Sequence, residues 1–356
     1  MKILVGMSGG VDSSVAALLL KEQGHEVIGA TMFIWNENHK NLKGGHKNAC
    51  YGPDEKEDIE EAKRICAEIG IPFHVFDCVE QYEKIVLENF KDEYLSGRTP
   101  NPCIWCNSLI KFDVLPFIAR QSGIEFDKFA TGHYAKLETK NGRYILKRAS
   151  NAKKDQSYFL YRLKQKQLEN ILLPLGDYTK DEIREIAKRG GLKVFDKPDS
   201  QDFYSGDYNE LLEIQDKEGN IVDKDGNVLG KHNGIWNYTI GQRKGIGIAS
   251  TAPLYVIALN KETNEVIVGH EDETLKKGLI ANKLSWLSVD KISETREVTA
   301  KIRSTQVPTE VTITPSADDE ITVEFYDLQK SITPGQSIVF YDGDVVLGGG
   351  IIEKVY

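Results

Sequence analysis

The amino-acid sequence predicts an α/β protein: a doubly wound parallel-sheet domain, then a small central domain, then a C-terminal β-barrel. Three observations predict it. Short apolar runs alternate with helical patterns over the first half of the chain, which implies parallel strands joined by right-handed crossovers. Near Lys197 the texture changes, and His232 to Gly247 is dense in glycine, aromatic and basic residues. Beyond about Leu279, stretches such as Glu297–Arg303, Glu310–Thr314, Ile321–Phe325 and Ser337–Tyr341 alternate apolar and polar residues between turns, the pattern of a small barrel or sandwich. The expected domains are 1–196, 197–278 and 279–356, and 356 residues are enough for each to bury a core.

Taken in order, Lys2 to Met7 is a strand-type apolar run feeding Ser8-Gly-Gly-Val-Asp-Ser-Ser14. A helix follows, with Val11, Val15, Leu18 and Leu19 at helical spacing and a stop near Gly24. His25 to Phe33 is a second strand, and residues 36–53 form a polar loop with Cys50 near its end. Asp54 to Gly70 has helical periodicity, with Ile59, Ala62, Ile65, Cys66 and Ile69 on one face. Ile71 to Phe76 is a third strand, followed by a helix to about Tyr94. The two prolines of Thr99-Pro-Asn-Pro102 predict an ordered loop, with the next helix beginning near Asn107. Phe126 to His133 reads as a strand ending in a Gly-His turn, Asn141-Gly142 as a hairpin turn, and Thr179-Lys-Asp-Glu182 as a capping box. Gly219 to Gly230 reads as a further small hairpin.

Composition excludes several classes. No apolar run approaches a membrane span and no basic-then-apolar segment opens the chain, so a cytoplasmic location without a membrane partner is expected. A net charge of −9 argues against a surface that coats polyanions generally, although it leaves room for a local basic groove. Five cysteines, two of them spaced as Cys103-x-x-Cys106, do not make a secreted disulfide framework and point to metal, redox or sulfur chemistry.

The first fourteen residues carry the clearest chemistry. A strand, a glycine turn and a helix N-terminus present free N–H groups and a positive dipole end to an anion, and glycine lets phosphate oxygens approach the backbone. Ligands of such sheets sit beyond the carboxyl ends of the strands, so the turn, Met32 and the Cys50 loop should meet there. The plain alternative is a tight turn with no ligand. The full string Ser8–Ser14 resembles the PP-loop of the ATP pyrophosphatases, which cleave ATP between the α and β phosphates and adenylate a carbonyl oxygen.

The resemblance extends along the whole chain. Thr99-Pro-Asn-Pro102 with Cys106-Asn107, Thr131-Gly-His-Tyr-Ala135, Lys154-Asp-Gln-Ser-Tyr-Phe159, Asp199-Ser-Gln, Thr239-Ile-Gly-Gln-Arg-Lys-Gly245 and Pro334-Gly-Gln336 occur in the order found in tRNA-specific 2-thiouridylases. The resemblance implies ATP and Mg²⁺ as cofactors and tRNA as substrate. ATP would fall on Gly6, Met7, Ser8, Gly9, Gly10, Val11, Asp12 and Ser13, with Met32 and Gly132 lining the adenosine and Asp12 near Mg²⁺. Taken alone, Met32 is a core methionine and Gly132 a turn glycine.

The tRNA would touch Asn101, Pro102 and Cys103 at the target base, with His133, Lys154, Asp155, Gln156, Arg303, Ser304 and Gln336 around it. A wobble uridine has to leave the anticodon stack to be reached, and a proline-stiffened loop suits the wall of such a pocket. Ser304 stands where the family usually has tyrosine, so no stacking contact is implied there.

The sulfur half departs from the family. Typical members have aspartate at the place of Cys103, a nucleophilic cysteine at that of Cys106, and a second cysteine after the Asp-Ser motif. Here Tyr204 stands at that second position, and no cysteine follows Cys106. The readings that remain are a [4Fe–4S] cluster on Cys103, Cys106 and Cys50 that binds hydrosulfide, a persulfide on Cys106 resolved by Cys103, or a structural zinc or passive pair. Cys78 is a weaker third ligand than Cys50, and Cys66 belongs to the core. Sulfur would come from an upstream donor or carrier protein. Asp12, Cys103 and Cys106 are therefore the expected catalytic residues.

Two other readings compete. PP-loops also serve argininosuccinate, GMP, NAD and asparagine synthetases, but no N-terminal amidotransferase cysteine is present and the Thr-Pro-Asn-Pro loop is foreign to them. A non-catalytic tRNA-binding or sulfur-carrier protein would not need the intact PP-loop and Cys106.

Overall fold

The structure, a computed structural model, describes residues 1–36, 49–197, 203–204, 206–211 and 213–356. The chain divides into two compact units. Met1–Leu87, Pro102–Glu213 and Asp344–Val346 form the first, and Glu88–Asn101, Ile214–Gly343 and Leu347–Tyr356 the second.

The first unit is built on a parallel sheet. Its strands are β1 (Lys2–Gly6), β2 (Glu26–Phe33), β3 (Phe73–Asp77) and β4 (Lys128–Ala130), and β5 (Ala135–Lys140) pairs with β6 (Arg143–Arg148) in a separate hairpin. With β7 (Ile171–Leu172), the parallel order is β3-β2-β1-β4-β7. The order reverses at β1, so the switch point lies at the carboxyl end of that strand. The hairpin turns at Asn141 and Gly142, both with positive φ (52° and 74°), as a tight two-residue turn requires.

Helix α1 (Val11–Glu22) and helix α2 (Glu55–Ile69) cover the sheet, and Ile3, Val5, Val15, Leu20, Ile65 and Cys66 share one core. Cys66 Sγ occupies the space a side chain at Gly29 would need, at 2.5 Å from its ideal Cβ. Cys66 is therefore a packing residue, as its helical face predicts.

One expectation is corrected. The helix after the proline loop begins at Pro102, not near Asn107: Pro102–Trp105 is α-helical, Cys106–Val114 follows with π-type hydrogen bonding, and Leu115–Gln121 returns to α. Proline lacks an N–H that the first helical turn does not use, and its fixed φ suits that position. By length and composition this run could cross a membrane, but Ile104, Ile110, Phe112, Leu115 and Ala119 are packed in the interior of the unit.

In the second unit β8 (Gly219–Val222), β9 (Val228–His232), β10 (Tyr255–Asn260) and β11 (Glu265–Gly269) form a sheet in the order β10-β11-β8-β9. Ile221, Val256, Val266 and Val268 make its core. The later strands are β12 (Leu275–Trp286), β13 (Arg296–Lys301), β14 (Thr309–Ala317), β15 (Glu320–Lys330), β16 (Ser337–Asp342) and β17 (Val345–Val355). They run β12-β15-β14-β13-β16-β17, and β12 pairs with β17 as well, which closes a barrel and rules out an open sandwich. Leu279, Val311, Val323, Phe325 and Phe340 fill it.

Candidate active site

The glycine turn lies at the carboxyl end of β1 and passes directly into α1. Met7 N–H donates to Ala30 O (2.7 Å), extending the β1–β2 pairing by one residue. Gly9 is doubly required: its φ is +69°, and a Cβ there would stand 2.8 Å from Asp58 O. Gly10 occupies the N-cap of α1 and no side chain caps the helix, an arrangement able to take an anion on its first-turn N–H groups.

The serines shape the turn. Ser13 Oγ accepts from Ser8 N–H (3.1 Å), and Ser14 Oγ donates to Gly10 O (2.7 Å). Lys197 Nζ reaches Gly9 O (3.2 Å) and Asp58 Oδ1 (3.0 Å), a cation at the turn that motif reading did not single out. Gly132 follows β4, and a Cβ on it would lie 2.7 Å from both Asp12 C and Ser13 N. That residue is glycine because the chain passes across the first turn of α1. Met32 is half-buried on β2, opposite Phe76 of β3.

Asp12 is half-buried and held by two side chains. Lys180 Nζ donates to both its carboxylate oxygens (2.8 and 2.9 Å), and Tyr134 OH donates to Oδ1 (2.7 Å). Lys180 is the first residue of the helix Lys180–Arg189, oriented by the Thr179–Glu182 capping box. Tyr134 is fixed in turn by Gln156, whose Oε1 accepts from Tyr134 N–H (2.9 Å) and whose N–H donates to Tyr134 O (2.8 Å).

The thiols occupy a different setting. Cys103 and Cys106 are half-buried, three residues apart on the helical run, and Cys50 is exposed. Burial pushes the Cys106 thiol up to about 11; Lys111 opposes the shift and Cys50 adds to it. In π-type hydrogen bonding the N–H of residue i+5 bonds back to residue i, which sets Lys111 one turn after Cys106. Lys111 also faces His133, whose imidazole is held well below the ordinary histidine range, mainly by burial. His133 Nδ1 lies 2.8 Å from Thr131 Oγ1, and its ring is 5.5 Å from that of Phe112.

Cys106, Cys103 and Cys50 all act on the enclosed Tyr82, whose hydroxyl is pushed far up, first by burial. Tyr82 stacks on Tyr51 (5.2 Å), which stacks on Phe203 (5.8 Å), with Tyr204 6.4 Å from Tyr51. Tyr204, which stands where the resemblance implies a second cysteine, thus borders this aromatic stack at a tilt. Asp199, Ser200 and Gln201 lie outside the described residues. Among the described residues, no group of three His, Cys, Asp or Glu side chains is placed to hold a metal ion. Cys78 is fully buried, and burial pushes its thiol up to about 12. Glu55, at the start of α2, accepts from Ile34 N–H (2.9 Å) and Trp35 N–H (2.8 Å), and burial raises its carboxyl to about 7.

The expected tRNA residues fall in both units. In the first, Pro102 is buried, Cys103, His133, Lys154 and Gln156 are half-buried, and Asp155 points inward, accepting from Ala149 N–H (3.1 Å) and Ser157 Oγ (3.1 Å). In the second unit, Gln336 Nε2 donates to Thr99 O and Pro100 O (3.0 Å each), and Thr99 N–H donates to Pro334 O (2.9 Å), which ties down the loop before Asn101. Arg303 donates to Thr333 Oγ1 (2.6 Å), and Ser304 is half-buried beside it in the chain.

Comparison with known proteins covers the whole chain. Residues 1–204 match the family model described as tRNA methyl transferase HUP domain, residues 211–270 the tRNA methyl transferase PRC-barrel domain, and residues 276–352 the aminomethyltransferase beta-barrel domain. The chain is 52% identical to the tRNA-specific 2-thiouridylase MnmA of Endomicrobium trichonymphae, over 99% of each chain. It is 49% identical to the protein of that name from Clostridium botulinum strain Alaska E43, over 99% of this chain and 98% of the relative. With that of Clostridioides difficile strain 630 it shares 48% identity over the same proportions.

Proposed function

The chain belongs to the tRNA-specific 2-thiouridylase family, and on that premise we propose that it replaces O2 of the wobble uridine of tRNA by sulfur at the expense of ATP. The observation that carries this reading is the uncapped N-terminus of α1 behind a glycine turn, in a chain so similar to named 2-thiouridylases over its full length. O2 of the uridine attacks the α-phosphorus of ATP as N3 gives up its proton, and the bond to pyrophosphate breaks. A hydrosulfide-equivalent sulfur then adds at C2, the C–O bond breaks, AMP leaves, and N3 regains a proton.

The first-turn N–H groups of α1 and the backbone of Gly6, Met7, Ser8, Gly9, Gly10, Val11 and Ser13 hold the phosphates, where the positive end of the helix stabilises the departing pyrophosphate. Met32 and Gly132 border the nucleoside. Asn101, Pro102 and Cys103 receive the base, with His133, Lys154, Asp155, Gln156, Arg303, Ser304 and Gln336 supporting the RNA. Asp155 and Gln336 act by ordering their loops, since their side chains bond to backbone groups. Domain limits of 1–196, 197–278 and 279–356 are supported by the three family segments. A cytoplasmic enzyme fed by a sulfur-donor protein fits this chemistry.

We assign the sulfur step to Cys106: charged as a persulfide by a sulfane-sulfur donor, its outer sulfur adds at C2 as AMP leaves, Cys103 three residues away attacks Cys106 Sγ to free the thiocarbonyl sulfur, and an added dithiol reduces the Cys103–Cys106 disulfide that results. One observation favours a second reading, a [4Fe–4S] cluster on Cys103, Cys106 and Cys50: all three thiols act on Tyr82. The described side chains are not set as a ligand group, so no step is routed through a cluster. The Asp12 carboxylate, which the resemblance sets near Mg²⁺, is hydrogen-bonded by Lys180 and Tyr134.

The test is release of AMP and pyrophosphate by protein purified without oxygen, supplied with ATP, a persulfide donor, a dithiol reductant and tRNA. Release that requires tRNA with a wobble uridine, together with 2-thiouridine in the digested tRNA, is the expected result. Release driven by a carboxylate acceptor would make the chain an amine ligase, and tRNA binding without release a carrier. Iron and sulfide analysis of the same preparation decides the cluster: an iron-free, active protein excludes it.

A further inference from the structure

Asp12 and Lys180 are 168 residues apart in sequence and meet within the first unit at 2.8 Å. The Lys180 side chain is 9% exposed, and its ammonium bridges both Asp12 oxygens, while the phenol of Tyr134 takes a second position on Oδ1. A carboxylate that takes hydrogen bonds on both oxygens from an enclosed ammonium and a further one from a phenol has its position fixed by them. Two further features hold the arrangement. Gly132 has no Cβ to push the segment leading to Tyr134 away from Asp12 and Ser13. Gln156 clamps Tyr134 through both its backbone groups. Asp12 lies in the first turn of α1, the turn whose N–H groups form the anion site, so its anchorage sets where those donors point.

We propose that Lys180 and Tyr134 are positioning residues for ATP activation: acting through Asp12, they hold the first turn of α1 in place, and Asp12 serves as that anchor and not as a ligand of Mg²⁺. The inference rests on the ATP-dependent reading above. Misplacing a reacting group by about 1 Å costs on the order of 100-fold, and that is the loss of kcat for pyrophosphate release expected of Lys180→Met. Lys180→Arg restores part of it, Tyr134→Phe loses about 10-fold, a free-energy change of about 1.4 kcal/mol in the barrier, and KM for tRNA is unchanged in all three. Asp12→Asn combined with Lys180→Met is no slower than Lys180→Met alone, because the two act as one unit.

The experiment measures pyrophosphate release by the full chain across a Mg²⁺ titration, with MgATP binding followed calorimetrically without tRNA. The Mg²⁺ midpoint is expected to be the same in wild type, Asp12→Asn and Tyr134→Phe. A midpoint displaced several-fold in Asp12→Asn alone would make Asp12 a metal ligand and overturn the proposal, as would wild-type kcat in both Lys180→Met and Tyr134→Phe. If Lys180→Met fails to fold by circular dichroism, Tyr134→Phe, which keeps the ring, decides. The binding arm separates the two readings. Wild type that binds MgATP but releases nothing with tRNA refutes the functional reading, while weaker MgATP binding by the variants still supports the anchor and unchanged binding overturns it.

Discussion

Two regions of the first unit, the phosphate half and the thiol half, are wired differently. Around the glycine turn, Asp12 carries two donors, Ser13 and Ser14 are tied to the turn, and Lys197 bridges Gly9 and Asp58. Around Cys106, burial raises the Cys106 and Cys78 thiols, and the Tyr204 hydroxyl is enclosed with no hydrogen-bond partner among the described residues. The difference teaches what folding alone accomplishes. The anion site is organised before ATP arrives, as electrostatic stabilisation of a leaving pyrophosphate requires. The Cys106 thiol is held protonated at ordinary pH, so the nucleophile has to be delivered as sulfur already activated or be unmasked when substrate binds.

The sharpest way to break the organised half is to crowd it. Gly132→Ala puts a methyl 2.7 Å from Asp12 C and Ser13 N. The first turn of α1 has to shift, and pyrophosphate release is expected to fall on the order of 100-fold. Steady-state release assays measure this directly, and near-normal rates would show that the close approach is not needed.

A smaller effect tests the disorganised half. Lys111 is the cation that lowers the Cys106 thiol against burial. Lys111→Met is expected to raise that thiol further, so its alkylation at alkaline pH slows. Peptide mass spectrometry that follows iodoacetamide labelling at Cys106 reads this out; unchanged labelling would remove Lys111 from the thiol's surroundings.

The smallest expected change is one of stability. Glu55 has a folded-state carboxyl near 7 against 4.5 in the open chain, with burial as the main cause. The folded protein therefore binds an extra proton between these values, and stability falls as pH rises across that window. Glu55→Gln keeps an oxygen for the Ile34 and Trp35 N–H groups and has no charge to bury. Relative to the variant, wild type should lose on the order of 1 kcal/mol across the window, because water screens the partly exposed carboxylate. Urea midpoints at the two ends would show it, and parallel curves would contradict it.

What could be read from the sequence was local. The turn Ser8–Ser14, the Asn141-Gly142 hairpin and the Thr179 capping box each depend on residues within a few positions, and each stands where the pattern places it. Alternating strands and helices were enough for the parallel sheet, because crossover handedness limits the alternatives. Long-range partnerships were not legible. Lys180 reads as the interior of a capping box, yet its ammonium meets a carboxylate near the other end of the domain sequence. The helix at Pro102 was missed because proline signals a break in general, and only its first-turn position makes it a start. Lys111 gave no sign because five-residue spacing puts side chains on different faces of an α-helix, and the π-type stretch realigns them.

The central claim is that activation and sulfur transfer are separate functions of the two halves. Comparing wild type with Cys106→Ala tests it most directly, with pyrophosphate release and 2-thiouridine measured in the same reaction of ATP, a persulfide donor, a dithiol reductant and tRNA. The account predicts that the variant still releases pyrophosphate and makes no 2-thiouridine. A Cys106→Ala protein that forms 2-thiouridine at the wild-type rate would contradict it.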